Sequence, residues 1–297
     1  MHMFKGSYTV MVTPFKADGS LDEATLRGFV DWQIEQGTQG LIPLGSTGEF
    51  LSQTREERRR VAGIVVEQAR KRVPVIVGTA AEWTQEAVAF SREAQELGAD
   101  GVMVVPPYYS SPTPDELFVH YSKIGEALSI PIMVYNNPFT SNVDLKADLV
   151  ARLSRIDNVR YIKESSGDPH RTTRILDACG DRMTVFAGYH PWEGFRIGAQ
   201  GYVSVFANIA PAMSRELYDK TVGSPALEPG FSLYRKVLPL MDAISGDLYV
   251  GATKAAMALV GHPVGDPRPP RLPLPAALLP KLRSVLDKLG LLATRPA

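Results

Sequence analysis

Eight short apolar runs recur along the first two thirds of the chain, at residues 8–12, 40–44, 75–78, 101–105, 131–135, 159–163, 184–187 and 202–205. They are near-continuous rather than alternating. A strand reads that way when both of its faces are buried, as in a parallel sheet covered by helices. Segments of helical periodicity lie between the runs, and several carry their own start signals. T-R-E-E from Thr54 and T-P-D-E from Thr113 fit the capping box, the second with Pro114 at the first helical position. Asp168 followed by Pro169 repeats the cap-then-proline pattern. Gly37, Gly98 and Gly180 follow the last periodic residues of three segments, where a left-handed terminus suits glycine.

Strand followed by helix, repeated eight times, predicts an α/β fold, a (β/α)8 TIM barrel, ahead of an open doubly wound sheet. G-S-T-G-E at Gly45 is neither the G-x-G-x-x-G nucleotide fingerprint nor a Walker lysine loop. Beyond residue 223 only helical patterns remain, separated by proline-rich turns. The expected organisation is a barrel over residues 1–223 and a C-terminal helical extension over 224–297 packed on it. A length of 297 residues suits one such domain with its appendage.

Charge and cysteine usage narrow the function classes. Lys plus Arg number 32 and Asp plus Glu number 32, so no net positive field draws nucleic acid or an anionic membrane surface. The expected partner is a small molecule held by local groups. The single Cys179 excludes an internal disulfide and reads as a buried thiol. With five scattered histidines there is no zinc-like cluster, so no metal is expected; an organic cofactor is not expected either. No secretory h-region opens the chain and no long uncharged apolar run appears, which leads to a cytoplasmic expectation.

In such barrels the chemistry lies at the C-terminal ends of the strands. Run 40–44 ends in L-G-S-T-G-E, run 131–135 in M-V-Y-N-N-P and run 159–163 in Y-I-K-E, which brings Ser46, Thr47, Tyr135 and Lys163 to one rim. Side chains alternate along a strand, so Lys163 shares a face with Tyr161, while Glu164 shares the other with Ile162. Glu164 is therefore not expected to pair with Lys163. An inward lysine is discharged by desolvation, and lowering an amine from about 10.4 to about 7 or 8 costs roughly 3 to 5 kcal/mol. A neutral amine attacks ketones to form Schiff bases, a phenol moves the protons of that reaction, and G-S-T-G-E offers N–H groups and hydroxyls to a carboxylate. Periodicity alone favours a solvated lysine and a core tyrosine, and leaves a plain βα turn open for G-S-T-G. P-P-Y-Y at residues 106–109 reads as a rigid apolar loop, and His170 and His190 as polar rim or cap residues.

The ordered set V-T-P-F at Val12, G-S-T-G-E-F, P-P-Y-Y, V-Y-N-N-P, I-K-E-S-S-G, G-Y-V-S-V and R-L-P-L resembles the dihydrodipicolinate synthase and N-acetylneuraminate lyase superfamily of Schiff-base-forming, pyruvate-dependent lyases. The resemblance runs nearly the whole length. It implies that Lys163 is the Schiff-base lysine, Tyr135 the phenol of the proton relay, and Thr47 both a pyruvate-carboxylate contact and a relay member. Ser46 stands where a second threonine is common, and Val203 at a backbone position lining the pyruvate pocket. Tyr109 matches a loop tyrosine that reaches a neighbouring subunit's site, which implies a homo-oligomer, a dimer or tetramer. Thr140 stands where the lysine-biosynthetic members carry an arginine for the acceptor's carboxylate, and Ala187, Gly188, Tyr189 and His190 replace their S-G-D-D stretch.

The expectation is a class I lyase acting on pyruvate or a 2-oxo-3-deoxy acid through a lysine enamine, without the lysine-biosynthetic reaction. An authentic 4-hydroxy-tetrahydrodipicolinate synthase is one alternative, and a Schiff-base dehydratase or deaminase is another. From a different class, a non-catalytic 2-oxo acid-binding barrel is the third. Thr140, Gly188, Tyr189 and His190 are the positions expected to choose among them.

Overall fold

Eight parallel strands alternate with helices in the computed structural model, which describes residues 4–222 and 224–293, and helices alone follow the last strand. The fold is of the (β/α)8 barrel class with C-terminal helices, as the alternation predicts. The strands are β1 (Gly6–Val10), β2 (Gly40–Ile42), β3 (Ile76–Gly78), β4 (Gly101–Val104), β5 (Ile132–Asn136), β6 (Val159–Glu164), β7 (Thr184–Ala187) and β8 (Gly201–Ser204). No helix among the described residues is long and apolar enough to cross a membrane.

The chain forms two compact units. The first runs from Pro74 to Val203 together with the segment ending at Gly6, and its strands follow the order β8-β7-β6-β5-β4-β3. Val102, Val104, Ile132, Val134, Ile162 and Val185 are fully buried on the helix-facing side, while Tyr135, Tyr161, Lys163 and Phe186 are buried on the other. Burial on both faces is why these runs do not alternate. Each fully buried Val or Ile contributes about 1.5–3 kcal/mol relative to exposure. The helix Pro114–Glu126 begins with the expected capping box, in which Thr113 Oγ1 accepts from the Glu116 N–H and the Glu116 carboxylate accepts from the Thr113 N–H.

The second unit comprises Ser7–Val73 and the chain from Ser204 onward. It holds the β1–β2 pair, the helices Glu23–Glu35 and Arg55–Ala69, and the helices from Pro211 to the C-terminal region. Thr54 caps the helix Arg55–Ala69 through the same reciprocal box with Glu57. Gly37 and Gly98 follow their helices with φ of 86° and 93°, as a left-handed terminus requires, whereas Gly180 has a positive φ of 58° with a ψ of −137°, outside the left-handed helical region, and leads into a 3-10 turn over Gly180–Arg182.

Three local expectations are corrected. β1 lies two residues earlier than the apolar run, because the Asn208 side chain takes over at its end: Val12 N–H donates to Asn208 Oδ1, and Asn208 Nδ2 donates to the Val10 carbonyl. β2 stops at Ile42, since Leu44 takes a φ of 61° and turns the chain. Asp168 does not cap the following helix, which spans Arg171–Cys179. Its carboxylate closes a tight turn by accepting from the His170 N–H and faces Arg171 and Arg174.

Candidate active site

β5 and β6 run in register with Tyr135 beside Lys163 and Asn136 beside Glu164. An irregularity near Ile132 and Met133 leaves Arg160 exposed, but from Tyr161 onward the alternation is regular. Lys163 and Tyr135 share a face, and Lys163 Nζ sits 3.8 Å from the centroid of the Tyr135 ring. On β7 the register neighbour of Lys163 is Phe186, fully buried, with its ring in the space that a side chain at Gly201 would fill. The Tyr135 ring and 6 % exposure strip water from the amine, and burial alone lowers its pKa to about 7.

Glu164 points to the other side. Its carboxylate accepts from Asn136 Nδ2 at 2.9 Å and from the Ser166 N–H at 2.6 Å, and burial raises its pKa. Asn136 also donates to Asp144, which takes Arg171 in a two-point pair at 2.5 and 2.9 Å. This network braces the ends of β5 and β6 without touching the Lys163 face, as the alternation requires.

Lys254 provides the contrast. It too is buried with a lowered pKa, by desolvation first, but its Nζ lies 2.8 Å from Glu49 Oε1 and donates to the Asp266 carbonyl. A carboxylate at that distance holds the ammonium charged, which makes Lys254 a structural cation. Lys163 has no such partner among the described residues. Of the two buried lysines among the described residues, Lys163 is the one whose amine has no carboxylate beside it.

The Tyr135 phenol oxygen accepts from Asn137 Nδ2 at 2.8 Å. Tyr189, half exposed, lies near Tyr135, and its pKa is raised by burial and by that neighbour. His190 is exposed, takes a φ of 49° and sits 6.4 Å ring to ring from Tyr189. Gly188 donates its N–H to the Glu164 carbonyl, and a Cβ there would lie 1.7 Å from Ser165 Oγ, so glycine alone leaves room for that hydroxyl. Val203 is buried in β8. Thr140 is exposed, with its hydroxyl 3.5 Å from the Asn137 carbonyl, and supplies no cation.

Tyr109 is 90 % exposed on a loop held from below by Glu82, whose carboxylate accepts the N–H groups of Tyr108, Tyr109 and Ser110 at 2.8–3.0 Å. Burial opposes its charge, but those bonds and the Ser110 hydroxyl outweigh it and bring the Glu82 pKa down to about 2. The P-P-Y-Y stretch is thus a polar-anchored loop rather than an apolar one.

Ser46 and Thr47 belong to the other compact unit. Ser46 is half buried and Thr47 buried, in a turn where the Gly48 N–H bonds the Gly45 carbonyl and the Gly48 carbonyl accepts from Thr13 Oγ1 and Gln53 Nε2. A Cβ at Gly48 would meet the Met11 carbonyl at 2.9 Å. Glu49 anchors the turn: besides Lys254, the Arg268 N–H donates to its Oε2 at 2.9 Å. The V-T-P-F and G-S-T-G-E-F motifs are therefore neighbours in space.

Glu82, Lys254 and Arg268 lie outside the motifs, and Asn137, though part of V-Y-N-N-P, is given no role by them. Only Asn137 carries a local signal, since it follows Tyr135 by two residues and so shares its face. A separate concavity of about 580 Å³, lined by Gly125, Leu128, Pro131, Asn158 and Arg160, lies at the N-terminal ends of β5 and β6, away from Lys163.

Residues 3–289 match the model of the dihydrodipicolinate synthetase family. The chain is 38% identical over 293 residues to a 4-hydroxy-tetrahydrodipicolinate synthase of Syntrophobacter fumaroxidans, covering 98% of this chain and 100% of that one. It is 39% identical over 292 residues to the enzyme of the same name from Geotalea uraniireducens, with the same coverage. Among solved structures it is similar to the chloride-inhibited dihydrodipicolinate synthase of Acinetobacter baumannii complexed with pyruvate, at a TM-score of 0.93 and 34% identity over 98% of this chain and 100% of that one. The dihydrodipicolinate synthase of Thermotoga maritima gives the same values.

Proposed function

The chain belongs to the dihydrodipicolinate synthetase family, whose members are class I aldolase-type lyases, and from that premise we propose the following reaction. The neutral amine of Lys163 attacks the 2-oxo carbon of pyruvate, and the carbonyl oxygen takes a proton to give a carbinolamine. Tyr135 delivers a proton to that hydroxyl, water leaves, and a protonated imine remains. Loss of a proton from the adjacent methyl carbon gives the enamine. That carbon then bonds to the carbon of an aldehyde, whose oxygen takes a proton, and water frees the product and the lysine. The reverse sequence cleaves a 2-oxo-3-deoxy acid. Ser46 and Thr47 are assigned to the carboxylate of pyruvate by the resemblance of G-S-T-G-E. The observation that carries the reading is the amine of Lys163, unpaired and held near pKa 7 by burial, 3.8 Å from the Tyr135 ring.

For the acceptor, the names of the relatives favour 4-hydroxy-tetrahydrodipicolinate synthesis over the expectation that this chain lacks that reaction. The acceptor would then be an amino-aldehyde with its own carboxylate. A second reading, another aldehyde or a 2-oxo-3-deoxy acid, is favoured by Thr140, because a hydroxyl does not replace the two-point clamp of a guanidinium on a carboxylate. Tyr109, exposed on its anchored loop, fits an oligomeric enzyme in which it faces another copy.

The test is borohydride reduction with pyruvate, read by intact mass and peptide mapping. A reduced pyruvate adduct on Lys163 is expected, and its absence with every 2-oxo acid tried would sink the proposal. Supplying the amino-aldehyde and following pyruvate consumption then separates the two acceptor readings.

A further inference from the structure

We propose that Asn137 recognises a hydrogen-bond donor, a hydroxyl or an ammonium, on the part of the substrate beyond the 2-oxo group, while its amide orients the proton of the Tyr135 phenol. This rests on the Schiff-base reading of Lys163. Asn137 is 4 % exposed and two residues beyond Tyr135, on the face that Tyr135 shares with Lys163. Its Nδ2 donates to the Tyr135 phenol oxygen at 2.8 Å, whereas its Oδ1 is fully buried without a hydrogen-bond partner among the described residues.

The backbone that carries this side chain is pinned, and the amide itself is tied to the phenol through Nδ2. The Asn137 carbonyl accepts from the Ser141 N–H at 3.0 Å, from Ser141 Oγ at 2.9 Å and from the Thr140 N–H at 3.1 Å, and Pro138 starts the short helix that follows. A buried, unpaired amide oxygen is costly, and native structures keep few of them. Beside a phenol that handles the protons of the reaction, such an oxygen is complementary to a donor. It opposes a carboxylate or a plain alkyl group at the same spot. The substrate class is thus a 2-oxo acid, or its acceptor aldehyde, that carries a hydroxyl or amine next to the bond made or broken.

The Nδ2 half acts through Tyr135. A phenol oxygen that accepts from Asn137 must direct its own proton elsewhere, and a donor on that oxygen favours the phenolate. Asn137 is a positioning residue for the relay and a recognition residue for the substrate.

The matched probes are 2-oxopentanoate and 4-hydroxy-2-oxopentanoate, each with borohydride, with the concentration for half-maximal inactivation as readout. The parent should saturate with the hydroxylated acid at roughly tenfold lower concentration, the scale of one buried acceptor gaining its donor. Asn137→Val should bring that ratio to about one and move the alkaline limb of the pyruvate-trapping rate upward. Asn137→Asp keeps an acceptor, so it should retain the ratio while moving the limb the same way. It also serves as the test should the valine variant fail to fold. An undiminished ratio in Asn137→Val, or an unmoved limb in Asn137→Asp, overturns the proposal. If pyruvate is trapped on Lys163 in parent and variants alike, such a result counts against Asn137 only. If pyruvate is not trapped in the parent, the Schiff-base reading itself falls, and this inference with it.

Discussion

Replacing Lys163 by methionine should stabilise the protein, and should do so most at low pH. The folded chain holds the amine near pKa 7, against 10.5 when it is free in water. Because the folded value is the depressed one, both states bind the proton below pH 7, and the folded state bears the whole cost of a buried ammonium. Between 7 and 10.5 only the unfolded chain is protonated, so the stability of the parent rises with pH, and above 10.5 the cost has gone. At about 1.4 kcal/mol per pH unit the full cost is about 5 kcal/mol, of which roughly 2 kcal/mol remain at pH 9. Methionine keeps an unbranched, polarisable side chain against the Tyr135 ring and never carries charge. Urea unfolding at pH 6, 7.5 and 9 should show Lys163→Met more stable than the parent by a few kcal/mol at pH 6. That margin should shrink by about 3 kcal/mol toward pH 9. A margin that stays level or widens with pH would refute the claim that desolvation sets the state of this amine. The variant should also fail to trap pyruvate.

Tyr135→Phe keeps the ring beside Lys163 Nζ but takes the acceptor from Asn137 Nδ2, so about 1–3 kcal/mol of stability should be lost while turnover falls by about 10²–10⁴; normal turnover in steady-state assays would remove the relay role. Glu49→Gln leaves the buried Lys254 ammonium unpaired and should cost about 3–5 kcal/mol in chemical denaturation, part of which Glu49→Gln with Lys254→Met should restore. Glu82→Ala takes away the acceptor for three successive N–H groups, and hydrogen exchange at Tyr108, Tyr109 and Ser110 should quicken relative to the helix Pro114–Glu126. Gly188→Ala places a methyl group against Ser165, and loss of thermal stability with a weaker response to 2-oxo acids should follow.

The limits of a one-dimensional reading show at particular residues. The face of Lys163, and hence its separation from Glu164, is a matter of period two along one strand and needs no tertiary information. The same rule applied one step past Tyr135 reaches Asn137, but nothing local says that one of its amide atoms finds a partner and the other does not. β1 and β2 were displaced from their apolar runs by events remote in sequence or by a backbone reversal: Asn208 seals the end of β1, and Leu44 turns the chain after β2. Asp168 looked like a cap because aspartate and proline stand in the right order, yet arginines one turn on drew its carboxylate away.

By itself the sequence determined the eightfold alternation, the capping boxes at Thr54 and Thr113, and the set of motifs that carries the family. Those follow from local periodicity and from hydrogen bonds spanning three or four residues. Only the tertiary structure decided which of the two buried lysines among the described residues has a carboxylate partner and which has burial alone, because the charge state of an amine depends on the water and carboxylates around it, and these arrive from distant parts of the chain. Glu49 reaches Lys254 across about two hundred residues of sequence and keeps it charged, while Lys163, walled by Tyr135 and its own sheet, is left with burial alone.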